Sequence, residues 1–247
     1  MKKLIKGIIK LVLMYIIFTN IKPALHYVMD CYVAAKAYNE FQGSSLEPRA
    51  AVEPEMVNTE FIDIVVPEID VNIAELSESY SDFIGMLYIP ACDIMLPMMQ
   101  GEDNEYYLHH TYDGKESSVG SIFMSHFGAL TNENSIVYGH NMKSGQAFGK
   151  LDKLMDSEDK MIYLYTVDGT YCYKAFAGEF CTTDSLLYSV VDAENHDAYV
   201  NYAIENSTMT NVSEIETVGR MLTFSTCHGA AGGNQRLVIN AGLIGIF

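Results

Sequence analysis

The stretch LTFSTCHGAAGGNQRLVIN, Leu222 to Asn240, joins two strand-like runs through a loop rich in glycine and alanine. Side chains alternate between the faces of a strand, so Leu222, Phe224 and Thr226 share one face while Thr223, Ser225 and Cys227 share the other. In the second run Leu237, Ile239, Ala241 and Leu243 form an apolar face, and Arg236, Val238 and Asn240 face away. If the two runs pair, Cys227 and Arg236 both point away from the core, beside the loop that joins them. A structural cysteine would be expected on the Leu222/Phe224 face instead. This thiol is placed for access.

The same texture extends outward. From about Ile73 the chain consists of short β-branched and aromatic runs separated by turn residues. In MIYLYTVDGTYCYKAF the pair Asp168-Gly169 sits between two such runs, a strong hairpin signal. DAENHDAYVNYAIEN, residues 192–206, reads as a surface helix within an otherwise β domain. Upstream, Ser44 to about Asp70 is acidic and carries Pro48, Pro54 and Pro67, which suggests a linker. Before it, Asp30 is positioned to cap a separate helix over CYVAAKAYNEFQ, with Val33, Ala34, Ala37, Tyr38 and Phe41 on one stripe and Gly43 as its stop.

Apolar residues at 49% and charged residues at 19% describe a folded chain rather than a disordered one. The formal net charge is −17, but five of the 15 basic residues (Lys2, Lys3, Lys6, Lys10 and Lys22) precede any acidic one. The remainder therefore sets 10 basic against 32 acidic groups, a balance of −22. Such a body repels phosphate, so nucleic acid is not an expected partner. The apolar run Leu4 to Ile21 approaches the roughly 20 residues that cross a bilayer, and Lys6 and Lys10 can reach one interface. Lysines before it and acidic sequence after it predict a cytoplasmic N-terminus, a single span and an external body. A cleaved signal peptide is the alternative, but no small-x-small site follows the run, and an uncleaved anchor is expected.

The five cysteines are Cys31, Cys92, Cys172, Cys181 and Cys227. An odd count leaves at least one free thiol, and the absence of any C-x-x-C spacing removes the usual zinc and thioredoxin readings. Four read as buried small hydrophobes. Cys227 needs a base to become a useful nucleophile. Of seven histidines, His140 in NSIVYGHNM is the best placed, because Gly139 ends the strand Ile136–Tyr138 and lets the imidazole emerge. His26 and His196 read as solvated, His109 and His110 as packing or capping groups. His228 adjoins the thiol, but adjacent strand residues point to opposite faces.

The order His140, then Cys227 at the end of TFSTC, then Arg236 resembles the sortase family. DFIGMLYIP (Asp82 to Pro90), QGEDNEYYLHH (Gln100 to His110), GSIFM (Gly120 to Met124) and YGHNMKSGQAFGKL (Tyr138 to Leu151) are similar to class B sortases in particular, as are the helix at 192–206 and the start of the chain. The resemblance runs from about Ile73 to Phe247. Phe224 stands where the family motif usually has leucine, and HGAAGGNQ, between Cys227 and Arg236, holds no carboxylate that could complete a local triad.

This resemblance implies a mainly β fold, a closed barrel of about eight strands with an N-terminal helix and a surface helix before the cysteine strand. The division it implies is a cytoplasmic tip and membrane anchor (1–25), a juxtamembrane helix and acidic linker (26–72) and a catalytic domain (73–247). It implies a cysteine transpeptidase that cleaves a C-terminal sorting signal of secreted proteins after its threonine and passes the acyl group to an amine. That acceptor is a peptidoglycan precursor, or a pilin lysine if the enzyme polymerises pili. Cys227 would be the nucleophile, His140 the general acid and base, and Arg236 the oxyanion donor, with Ser225, Thr226 and Asn141 as substrate-binding candidates. No metal and no organic cofactor is called for. A papain-like hydrolase places its cysteine before its histidine, and a caspase-like one needs Q-A-C-x-G, which is absent. A non-enzymatic, membrane-tethered surface-binding module would explain the anchor and the acidity, but not thiol, imidazole and guanidinium all at strand ends.

Overall fold

The computed structural model describes residues 2–39, 41, 64–212, 217–229 and 232–247. Eight strands close a barrel: β1 (Phe83–Ile89), β2 (Ile94–Met99), β3 (Ile122–Met124), β4 (Asn134–Tyr138), β5 (Met161–Thr166), β6 (Gly169–Thr182), β7 (Met221–Cys227) and β8 (Gln235–Ile246). Around the barrel the order is β1-β2-β3-β4-β7-β8-β6-β5, closed by the β1–β5 pair. Two of the pairs, β2–β3 and β4–β7, are parallel. Parallel neighbours need long crossovers. The one between β4 and β7 contains a short helix, α3 (Lys153–Asp156), the Asp168-Gly169 hairpin of β5 and β6, with Thr166 opposite Gly169, and a surface helix, α4 (His196–Glu205).

The faces read from the sequence sort as expected on the inner side. Leu222 and Phe224 of β7 meet Leu237, Ile239, Ala241 and Leu243 of β8 in the main core, where the Phe224 ring lies edge-on to Phe148 at 6.0 Å. The opposite face differs from expectation. Val238 and Asn240, read as facing away, are fully buried. The cause is a second, smaller core outside the barrel, in which Val238, Met221 and Phe176 pack beneath Leu187, Tyr199 and Ala203. A hydroxyl network runs through it, the Tyr199 hydroxyl meeting Asn240 Oδ1 at 2.9 Å and Thr223 Oγ1 at 3.0 Å. A strand covered on both faces loses its clean alternation of exposure, and only Cys227 of β7 reaches solvent.

The N-terminal region is corrected in a different way. One helix, α1 (Lys2–Tyr38), runs through Pro23 and Asp30. Asp30 does not cap it. Its carboxylate accepts from Ser118 Oγ at 2.8 Å and lies 3.7 Å from His26 Nε2 one turn back, so it docks the helix on the barrel. The expected stripe is the docking face, with Ala34, Tyr38 and Phe41 buried. The stretch Lys6–Tyr38, which includes most of that face, is long and apolar enough to cross a membrane, with its most apolar window unburied. Gly43 and most of the acidic segment lie outside the described residues. Ile64, Val66, Ile69 and Val71 at its end pack on the barrel, and Pro67 O accepts from the Tyr165 hydroxyl at 2.6 Å. Ile73 begins a short helix, α2 (Ile73–Ser79), rather than a strand. Asn72 caps it by accepting from the Glu75 amide.

Phe224 is wholly buried between two strands and the Phe148 ring, so Phe224→Ala should lower stability by about 3–5 kcal/mol. Urea unfolding followed by circular dichroism checks this: a midpoint equal to that of the parent would contradict the packing described.

Candidate active site

β7 lies between a parallel and an antiparallel neighbour, and the two registers together build the site. Against β8, Cys227 stands directly opposite Arg236. Against β4, Asn134 faces Met221 and Tyr138 faces Ser225, a constant offset of 87 residues. The same offset separates His140 from Cys227, two positions past the end of β4. His140, Cys227 and Arg236 therefore stand in one row across three strands, on the outer face, where neighbouring strands are about 4.8 Å apart.

Gly139 permits this continuation, since a Cβ there would come within 2.6 Å of the Phe148 ring. Three bonds hold the β4 and β7 ends together beyond the last paired residues: Gly139 N–H to Ser225 O (3.3 Å), Thr226 Oγ1 to Gly139 O (2.7 Å) and Asn141 Nδ2 to Cys227 O (2.8 Å).

The imidazole is oriented from the other side. His140 Nε2 is 2.9 Å from the carbonyl oxygen of Leu108, which can only accept, so Nε2 carries the hydrogen. That leaves Nδ1 as the nitrogen able to exchange a proton. Arg236 is held by its own loop, with Nη1 donating to Gly233 O (2.9 Å) and Gln235 O (2.8 Å), while Nη2 and Nε make no hydrogen bond among the described residues. The amide after the thiol is occupied, because His228 N–H donates to Gln235 O at 3.0 Å. The guanidinium beside Cys227 thus has N–H groups without a partner among the described residues.

All three side chains line a groove of about 390 Å³. Tyr138, Ser225, Thr183, Tyr188, Leu108 and Asn104 also form its walls. Ser225 is tied to the Tyr188 hydroxyl at 2.7 Å. Ser225 and Thr226 line the groove. Asn141 does not, its amide being engaged by the Cys227 carbonyl. Sequence reasoning missed the walls and the Leu108 carbonyl. Period two from His140 would have found Tyr138, but a backbone oxygen leaves no signature in side-chain types.

The sequence profile of the sortase domain matches residues 87–244, nearly the whole barrel. The chain belongs to the sortase family. It is 31% identical over 168 residues to the sortase B of Listeria monocytogenes, covering 65% of this chain and 68% of that protein. The crystal structure of the Bacillus anthracis sortase B superimposes with a TM-score of 0.65 at 26% identity, covering 90% of this chain and 99% of that one. A Staphylococcus aureus sortase B–substrate complex gives 0.63 at 23% identity, over 70% and 84%, which speaks for the fold alone. The chain is a cysteine transpeptidase of the class B sortase type. This sortase keeps five free thiols among the described residues.

They differ in reactivity for a physical reason. Burial pushes the Cys92 and Cys172 thiols up to about 12, and burial together with Glu179 raises Cys181 to about 11. All three remain neutral thiols at pH 8, whereas Cys227 is exposed. Brief iodoacetamide treatment of the native protein at pH 8 should label Cys227 at least ~10-fold faster than these three, a gap that denaturant abolishes. Peptide mass spectrometry reads the ratio, and comparable labelling of Cys172 would contradict the burial.

Proposed function

We propose that this sortase cleaves a C-terminal sorting signal of secreted proteins after its threonine, holds the protein as a thioester on Cys227, and transfers it to an amine of the cell wall. The observation that carries this reading is the single row of His140, Cys227 and Arg236 facing one groove. The Staphylococcus aureus relative has been crystallised with a substrate, which is consistent with a peptide lying in the equivalent groove.

In this scheme His140 Nδ1 takes the proton of the Cys227 thiol as the sulfur attacks the threonine carbonyl carbon, and the carbonyl π electrons move onto oxygen. Nη2 or Nε of Arg236 donates to that oxyanion, a task for which a fixed planar fork is suited. As the tetrahedral carbon collapses, the C–N bond breaks and the departing amine takes a proton from His140 Nδ1. The incoming amine later returns a proton to the same nitrogen as it displaces the sulfur. Throughout, Nε2–H stays on the Leu108 carbonyl, so the ring neither turns nor exchanges the wrong proton.

The exposed N-terminal helix supports an uncleaved anchor, with the N-terminus cytoplasmic and the barrel outside. The division that accompanies it is tip and span at 1–25, juxtamembrane segment at 26–72 and catalytic domain at 73–247.

Single-turnover acylation with a library of threonine-containing signal peptides tests the roles, with mass spectrometry of the thioester as readout. Cys227→Ala should form none. Arg236→Ala should acylate about 100-fold or more slowly, and Arg236→Lys should recover little, because an ammonium lacks the fork. Near-parental acylation by the Arg236→Ala variant would remove the guanidinium from the mechanism.

A further inference from the structure

We propose that Tyr38 and Gly120 are positioning residues for His140, acting through the carbonyl of Leu108, so that the docked half of α1 forms part of the active-site scaffold. The inference rests on His140 being the acid and base described above.

The Leu108 carbonyl fixes which imidazole nitrogen carries the hydrogen, so whatever places that oxygen places the proton. Leu108 ends a single 3-10 turn, Tyr106–Leu108, in the crossover between β2 and β3, and no sheet ladder holds it. Its peptide rests on Gly120. A Cβ at that position would fall 2.7 Å from Leu108 O and 2.9 Å from Leu108 C, and the residue adopts φ +60°, where glycine is favoured. Contact this close is possible only because position 120 has no side chain.

Gly120 is itself held by the N-terminal helix. The Tyr38 hydroxyl donates to Gly120 O at 2.8 Å and sits 3.1 Å from Ser121 Oγ. Ser121 in turn binds both sides of Leu108, its amide donating to Tyr107 O at 2.8 Å and its hydroxyl to His110 O at 2.9 Å. Tyr38 is 3% exposed, and burial pushes its hydroxyl up to about 12, so it stays a donor at any working pH. A phenylalanine would fill the same volume beside Tyr112. What the hydroxyl adds is the bond to the Gly120–Ser121 backbone, 82 positions away in the chain. A displacement of α1 therefore has a short route to the imidazole: helix, Gly120 peptide, Leu108 carbonyl, Nε2.

The test uses the full chain in lipid nanodiscs and two readouts. Nitrogen NMR of labelled histidine, with His140 assigned by its loss in His140→Gln, reports the tautomer without any substrate. Acylation by a signal peptide reports the rate. The parent should show the Nε2–H form. Tyr38→Phe should remain folded, give a mixture of tautomers, and acylate about 10-fold more slowly at unchanged KM. Gly120→Ala should do the same more strongly where it folds. Ser118→Ala removes the other side-chain tie between α1 and this segment, Ser118 to Asp30, without touching Leu108, and should leave both readouts at parental values. An unchanged tautomer and rate in Tyr38→Phe overturns the proposal, as does an equal effect in Ser118→Ala. Tautomer shifts in a protein that acylates no peptide would support the positioning role while sinking the transpeptidase scheme.

Discussion

The register of β7 is the constraint on which the site depends. A strand has side chains on alternate faces, so a slip of one residue against β4 would set His140 beside a residue of the inner face, and a slip against β8 would bury Arg236. Two devices exclude such slips. Phe224 and Leu222 can lie only inside, and Thr223 and Ser225 find their hydroxyl partners, Tyr199 and Tyr188, only outside. Cys227 is aligned by the strand that carries it, and its own side chain plays no part in the alignment.

Local signals in the sequence were read well and non-local ones poorly. Period two located the inner face of β7 and β8 and the presented thiol, and Asp168-Gly169 located a hairpin, because each depends on neighbours in the chain. The pairing of His140 with Cys227 depends on β4 and β7 being parallel neighbours, which no short window reveals; the ordered motifs of the sortase family supplied that knowledge. Thr223, Val238 and Asn240 were assigned to an outward face, correctly, but that face is roofed by α4, whose docking is a tertiary fact. Asp30 reads as the cap of a separate helix, yet one helix runs through it and its carboxylate is spent on the barrel instead. The Asn72–Glu75 cap was present in the sequence as a residue pair and went unread.

The site's polarity follows from the same architecture. Among the described residues Arg236 is restrained by carbonyls of its own loop and by no carboxylate, which leaves two of its nitrogens without a hydrogen-bond partner there. His140 is likewise oriented by a neutral carbonyl. In a chain with 32 acidic residues, both groups are thus oriented by backbone oxygen and not by side-chain carboxylates among the described residues.

The parallel pairing of β4 and β7 also has a consequence in time. Every other strand of the barrel precedes β7 and β8 in the chain, and β7 must insert between β4 and β8 after a crossover of more than 80 residues. Such distant contacts form late, because loop closure precedes any gain from pairing. The imidazole of His140 is synthesised long before the thiol of Cys227, and the two share no row until the last two strands are in place. His140, Cys227 and Arg236 therefore come into one row only in the step that closes the barrel.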